Sequence, residues 1–217
     1  MYSHFKGPAV AASIMMLAAA SVSWAGSVAE PPITKTISVP GTSDPFLAGQ
    51  PSGTCCGGDS APAESPVLAG FVRPRGKITF TQTSGGVNYT PSPPTDGPAG
   101  NLGYRISSGP SNGIGGYANA PVDALVGVFL PLTTPESNPV TTTLDFTTPT
   151  TTPALQQVFY IGKGGAGFSV TVPAGAARLY LGTVDGSGWF NNSGAIKVTV
   201  SGLVECPLGM NCANQTH

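Results

Sequence analysis

Arg178-Leu-Tyr-Leu-Gly-Thr-Val-Asp185-Gly-Ser-Gly-Trp-Phe-Asn191-Asn192-Ser-Gly194-Ala-Ile-Lys-Val-Thr-Val200 decides how this chain folds. At its start Leu179 and Leu181 alternate with Arg178 and Tyr180. At its end Ile196, Val198 and Val200 fall on one face, and Lys197, Thr199 and Ser201 on the other. Apolar residues at every second position mark strands with one face in a core, the pattern of an antiparallel sheet. The ten residues between the two strands are mostly Gly, Asn, Asp and Ser, which turn the chain for backbone reasons.

Working outward, Phe168, Val170 and Val172 alternate with Ser169 and Thr171. Further short strands are expected at 33–39, 67–72, 77–83, 125–130 and 158–161. The chain holds 30 glycines and 22 prolines, with only 9% charged residues, so long helices are not expected. The expected fold is all-β: a jelly-roll-like antiparallel β-sandwich of about eight strands. Two stretches lack strand signal. Residues 90–116 read as a long loop, and the Thr/Pro-rich 131–153 as an excursion pinned by Leu144-Asp145-Phe146. With no tandem repeat and no second composition regime, residues 26–204 read as one domain, with 38–70 its N-terminal extension and 205–217 a tail.

The N-terminus has one basic residue, Lys6, then an apolar run from Pro8 to about Ala20, then Ser23 and Ala25 as small residues for cleavage. Residues 1–25 are therefore expected to be a signal peptide. The run is short for a membrane span, which takes about 20 residues, and no second run of spanning length follows. The expected location is secreted, periplasmic or cell-surface. Cys55, Cys56, Cys206 and Cys212 suit an oxidising compartment. Cys206 and Cys212 bracket a short segment that a disulfide can close, but four cysteines allow three connectivities and the spacing does not choose.

The two histidines are His4 and His217, at the extreme ends of the chain, so a Ser-His-Asp or Cys-His arrangement has no credible histidine. The ten acidic residues are dispersed, and no two lie close enough in sequence to suggest a catalytic pair. A non-enzymatic role is expected. A net charge of −1 with no basic stripe argues against nucleic acid. The most informative chemistry lies in the 185–194 loop. Calcium takes six to eight oxygens, and Asp185, Asn191, Asn192 and carbonyls of a glycine-bent loop are suitable donors. The same residues also make ordinary turns. Trp189 and Phe190 lie in this loop too, and an aromatic face there suits the apolar side of a sugar ring.

Three stretches carry a resemblance. They are 168–200 with its Asn191-Asn192-Ser193-Gly194 step, Lys77-Ile-Thr-Phe80 followed by Gly86-Val-Asn-Tyr89-Thr-Pro91, and Asp123-Ala-Leu-Val126. Over about 77–200 the chain resembles the bacterial calcium-dependent galactophilic lectins, small jelly-roll-like sandwiches. The resemblance implies calcium held by the side chains of Asp185, Asn191 and Asn192, and by the carbonyls of Tyr89 and of Gly188 or Trp189. It also implies a carbohydrate ligand of galactose type, with Tyr89 lining the sugar site. From this chain's own residues Asp96, Asp185, Trp189 and Asn191 are expected to complete that lining. The family's sugar-reading His and Gln have no match in the 107–121 loop, where Asn112 and Asn119 stand. The alternative expectation is a structural component of an extracellular matrix, biofilm or cell surface; self-association into a homo-oligomer stays open under either.

Overall fold

The structure, a computed structural model, describes residues 31–206 apart from 141, 166 and 167. The expected signal peptide and Cys212 lie outside the described residues. Strands run β1 (Ile33–Pro40), β2 (Cys55–Cys56), β3 (Asp59–Ser60), β4 (Val67–Phe71), β5 (Lys77–Asn88), β6 (Asn101–Ser108) and β7 (Gly116–Val122). They continue with β8 (Leu125–Leu130), β9 (Thr143–Asp145), β10 (Val158–Tyr160), β11 (Ser169–Thr171), β12 (Arg178–Thr183) and β13 (Ser193–Leu203).

Eight of these make the sandwich. One sheet has the order β1-β13-β5-β11 and the other β10-β8-β12-β4. Numbered by chain order among themselves, the eight read 1-8-3-6 in one sheet and 2-7-4-5 in the other, which is jelly-roll topology. All pairings within these two sheets are antiparallel. The core between the sheets follows from the period-two pattern: Ile196, Val198 and Val200 of β13 and Ile78 and Phe80 of β5 meet Leu179 and Leu181 of β12 and Phe129 of β8.

The opposite face of β12 does not meet water. Arg178 and Tyr180, which alternation puts on the polar side, are both buried. A second apolar cluster covers that face, built from Phe46, Ile114, Tyr117, Phe146 and Trp189 against Val126, Val128, Leu130 and Tyr180. This explains why all six residues of β8 are buried. The covering layer is a three-stranded sheet, β6-β7-β9, whose β7–β9 pairing is parallel, together with the 3-10 turn Pro45–Leu47. The buried Arg178 guanidinium is hydrogen-bonded: its Nε and Nη2 donate to the carbonyls of Pro131 and Thr133 at 2.9 and 3.1 Å and Nη1 to Tyr180 Oη at 3.2 Å. Its guanidinium also lies over the Tyr180 ring at 5.6 Å.

The covering layer overturns the expectation of one long loop at 90–116, since β6 and the start of β7 occupy it. Leu144 and Phe146 of the Thr/Pro-rich segment pack against this cluster. Cys206 is disulfide-bonded, whereas Cys55 is a free, exposed thiol, so the four cysteines do not all pair.

Candidate functional site

The site forms where the end of β5 meets the loop between β12 and β13. Tyr89 is the first residue beyond β5, and its carbonyl direction is fixed from both sides. Before it, Asn88 accepts from Thr90 N and Thr90 Oγ1 at 3.0 and 2.7 Å and donates to the Pro93 carbonyl at 3.2 Å. This is the side-chain-to-backbone turn that asparagine favours. Across the strand, Val87 and Asp96 exchange backbone hydrogen bonds of 2.9 and 3.0 Å. Tyr89 N itself donates to Asp123 Oδ2 at 3.2 Å.

The facing loop contains a 3-10 turn, Trp189–Asn191, entered through Gly188 at φ +79°. Asn191 N and Asn192 N close it onto the carbonyls of Gly188 and Trp189 at 3.1 and 3.0 Å. Asn192 Nδ2 is tied to the Gly41 carbonyl at 3.1 Å, which leaves its Oδ1 facing Asn191. Next comes Gly194 at φ +80°, where an added Cβ would stand 2.3 Å from the Gly86 carbonyl oxygen and 2.5 Å from Pro94 Cγ. Only glycine lets β13 pair with β5 immediately after the two asparagines. Gly194→Ala is expected to destabilise the protein by on the order of 3 kcal/mol, measured by urea unfolding.

The outcome is a convergence of oxygens. Asn191 Oδ1 faces Asn192 Oδ1 at 3.3 Å, the Tyr89 carbonyl at 3.2 Å and the Gly188 carbonyl at 3.3 Å. Oxygens so placed need positive charge among them. The amide can supply it by turning over, so that Nδ2 donates to all three at those distances. A cation can supply it instead: in an oxygen shell of radius about 2.4 Å, neighbours at right angles stand about 3.4 Å apart.

Asp185 borders this group. Its Oδ1 accepts from Gly186 N at 2.6 Å, and its Oδ2 is buried without a hydrogen bond. Burial pushes its carboxyl above the usual range; the Asn192 amide and the N–H groups of Gly186 and Ser187 pull it part of the way back. Asp123 Oδ1 is a second buried oxygen without a donor. Its carboxyl is pushed up to about 7, first by burial and then by the Asp96 carboxyl beside it. The Asp185 carboxylate, with one buried oxygen lacking a donor, and the neutral oxygens that converge at Asn191 together fit a hard cation. No group of three or more His, Cys, Asp or Glu side chains that could hold a metal occurs among the described residues. The set here is instead one carboxylate with amide and carbonyl oxygens, which suits calcium rather than a softer metal.

Of the residues singled out in the sequence, Tyr89, Gly188, Asn191 and Asn192 bring oxygens to one place, with Asp185 alongside. Both carbonyl candidates in the loop accept an N–H of the turn; of the two, the Gly188 carbonyl is the one that stands 3.3 Å from the Asn191 amide. Asp96 lies beside Asp123, and its Oδ2 accepts from Asn101 Nδ2 at 3.4 Å. Trp189 is not a ligand surface. It is 3% exposed, its Nε1 donates to the Thr183 carbonyl at 2.9 Å, and its ring meets Phe46 edge-on at 6.2 Å. The deep pocket under the covering layer gives both the ring and its N–H a partner, which solvent at the loop tip does not. Among the described residues the exposed aromatics are Phe190, 55% exposed, and Tyr89 and Tyr104, whose rings meet edge-on at 5.5 Å. Sequence reading missed Tyr104, Asp59, Asp123 as a partner of Tyr89, and Gly41. Gly-Tyr-Arg in a presumed loop gave no signal for the first, and the others act from far along the chain. No family model and no curated protein matches this chain.

Proposed function

We propose that the protein is a non-enzymatic, calcium-dependent carbohydrate-binding protein that works outside the cytoplasm. The observation that carries this is the convergence of the Tyr89 and Gly188 carbonyls and Asn192 Oδ1 on the Asn191 amide, beside Asp185, whose Oδ2 is buried without a hydrogen bond. Asn191, Asn192, Asp185 and the carbonyls of Tyr89 and Gly188 would hold the ion. A bound calcium supplies a fixed positive charge toward which sugar hydroxyl oxygens can turn. The chain's own residues fix orientation: Asn88 and Asp123 aim the Tyr89 carbonyl, and Gly41 aims Asn192. The exposed edge-on pair Tyr89 and Tyr104 offers an apolar ledge for the C–H face of a sugar ring. Galactose-type sugars are the first class to test. With a single carboxylate, the site belongs with extracellular modules of roughly 10⁻⁴–10⁻³ M affinity, which agrees with an exported protein.

Calcium at several millimolar is expected to raise Tm, and EDTA to reverse the rise. At 100 times the dissociation constant the gain is about 2.7 kcal/mol. The Asn191→Ala, Asn192→Ala double variant should lose both this response and binding on a glycan array. An unchanged melting curve in wild type at 10 mM calcium, on the order of ten to a hundred times that affinity, rules the metal out. A second reading is a structural surface or matrix component. It is favoured by the turned Asn191 amide, which satisfies the loop without any ion. Glycan arrays with no binding, together with concentration-dependent assembly, would select it.

A further inference from the structure

We infer that Asp59 is a positioning residue for the cation loop, reaching it from a hairpin far away in the sequence. The inference rests on the cation reading above. Asp59 is a buried carboxylate that touches none of the converging oxygens. Its Oδ2 accepts from Gly188 N at 3.3 Å and its Oδ1 from Phe190 N at 3.1 Å. These two N–H groups belong to the peptide units on either side of the Gly188–Trp189 peptide, and that middle peptide carries the Gly188 carbonyl. Gly188 has no side chain and a left-handed backbone, so within the loop only the Asn191 N–H that its carbonyl accepts holds it in place. Clamping the flanking units fixes the direction of the carbonyl between them.

The carboxylate is itself rigidly presented. The β2–β3 hairpin is closed by Gly53 N to the Ala61 carbonyl and Ala61 N to the Thr54 carbonyl, both 2.8 Å. Glu64 Oε2 accepts from Ser60 N at 2.9 Å, and Glu64 N donates to the Ser60 carbonyl at 3.0 Å. Phe190 leans over this hairpin, its ring 3.3 Å from where a Cβ on Gly58 would stand. With Gly41 holding Asn192, segment 41–64 sets both a carbonyl and an amide of the oxygen group. Outer partners of this kind typically change metal affinity by 10–100-fold.

The test is calcium titration of the full chain, followed by calorimetry and by Tm, in wild type, Asp59→Asn, Asp59→Ala and the hairpin control Ser60→Ala. Asparagine keeps the acceptor for Phe190 N and loses the one for Gly188 N. Its titration midpoint is expected to rise about 10-fold, with a Tm in EDTA near that of wild type. Asp59→Ala is expected to lose the calcium response, and Ser60→Ala to keep the wild-type midpoint. A residue that only stabilised the fold would lower Tm equally with and without calcium and leave the midpoint where it was. That result in Asp59→Asn overturns the inference even if Asp59→Ala does not fold. If wild type itself binds no calcium, the cation reading fails first, and this positioning role falls with it.

Discussion

Asp44→Asn is expected to make the protein more stable, and by more as the pH rises. Asp44 is fully buried. It caps the Pro45–Leu47 turn by accepting from Phe46 N at 2.8 Å, while its Oδ2 has no hydrogen-bond partner. Burial pushes its carboxyl up to about 8. The Phe46 N–H offsets part of this, and Asp59, Asp185 and Glu64 add to it. A carboxyl with pKa 3.8 when unfolded and about 8 when folded holds its proton more tightly in the folded state. Between these values the folded protein binds the extra proton, so stability is greatest below about pH 4 and falls as pH rises toward 8. The loss reaches about 4 kcal/mol by pH 7 and about 6 kcal/mol by pH 9. Asparagine keeps the capping oxygen, places an N–H₂ where the proton sat, and does not titrate. Urea unfolding of both proteins in EDTA at pH 5, 7 and 9 should show a widening gap. A gap independent of pH would mean that Asp44 is not the titrating group.

The second large effect separates two adjacent aromatic residues. Trp189→Ala empties a filled space among Phe46 and its neighbours and strands the Thr183 carbonyl, and is expected to cost about 3–5 kcal/mol. Phe190→Ala removes an exposed ring and should change stability by less than about 0.5 kcal/mol. Denaturant midpoints of the two variants decide this directly. Equal, small losses would return Trp189 to the surface and restore it as a candidate for stacking on a sugar.

The sandwich was legible because its strands carry period-two patterns, and β13 shows why. Ile196, Val198 and Val200 face a core while Lys197 and Thr199 face out, so the alternation reports one covered side. The covering layer was not legible. β6 lies almost wholly in solvent, with Leu102 and Tyr104 exposed, so no alternation marks it. β7 begins Gly-Tyr-Ala-Asn and is mostly buried, so it too lacks a polar face. The misplacement of Trp189 has the same origin: a tryptophan in a glycine-rich loop reads as exposed unless the layer above β12 is known. Among the site residues, Asp185, Asn191 and Asn192 were visible because they crowd into eight residues of chain. Asp59 and Asp123 were not, because each reaches the site by hydrogen bonds from a distant segment, and such approaches leave no local pattern.

The pairing of β1 with β13 bears on how the molecule is made. Thr36 and Thr199 share a hydrogen bond across 163 residues of chain. At 5–20 residues per second, synthesis separates the two strands by roughly 10–30 s. Throughout that interval Ile33, Ile37 and Val39 have no sheet to join, and an unpaired apolar strand is a template for neighbouring chains. Lys35, between Thr34 and Thr36, sets a charge in the middle of the segment, the kind of gatekeeper that discourages such encounters. Substituting an apolar residue for Lys35 should therefore leave the finished fold nearly unchanged and lower the yield of soluble protein during expression.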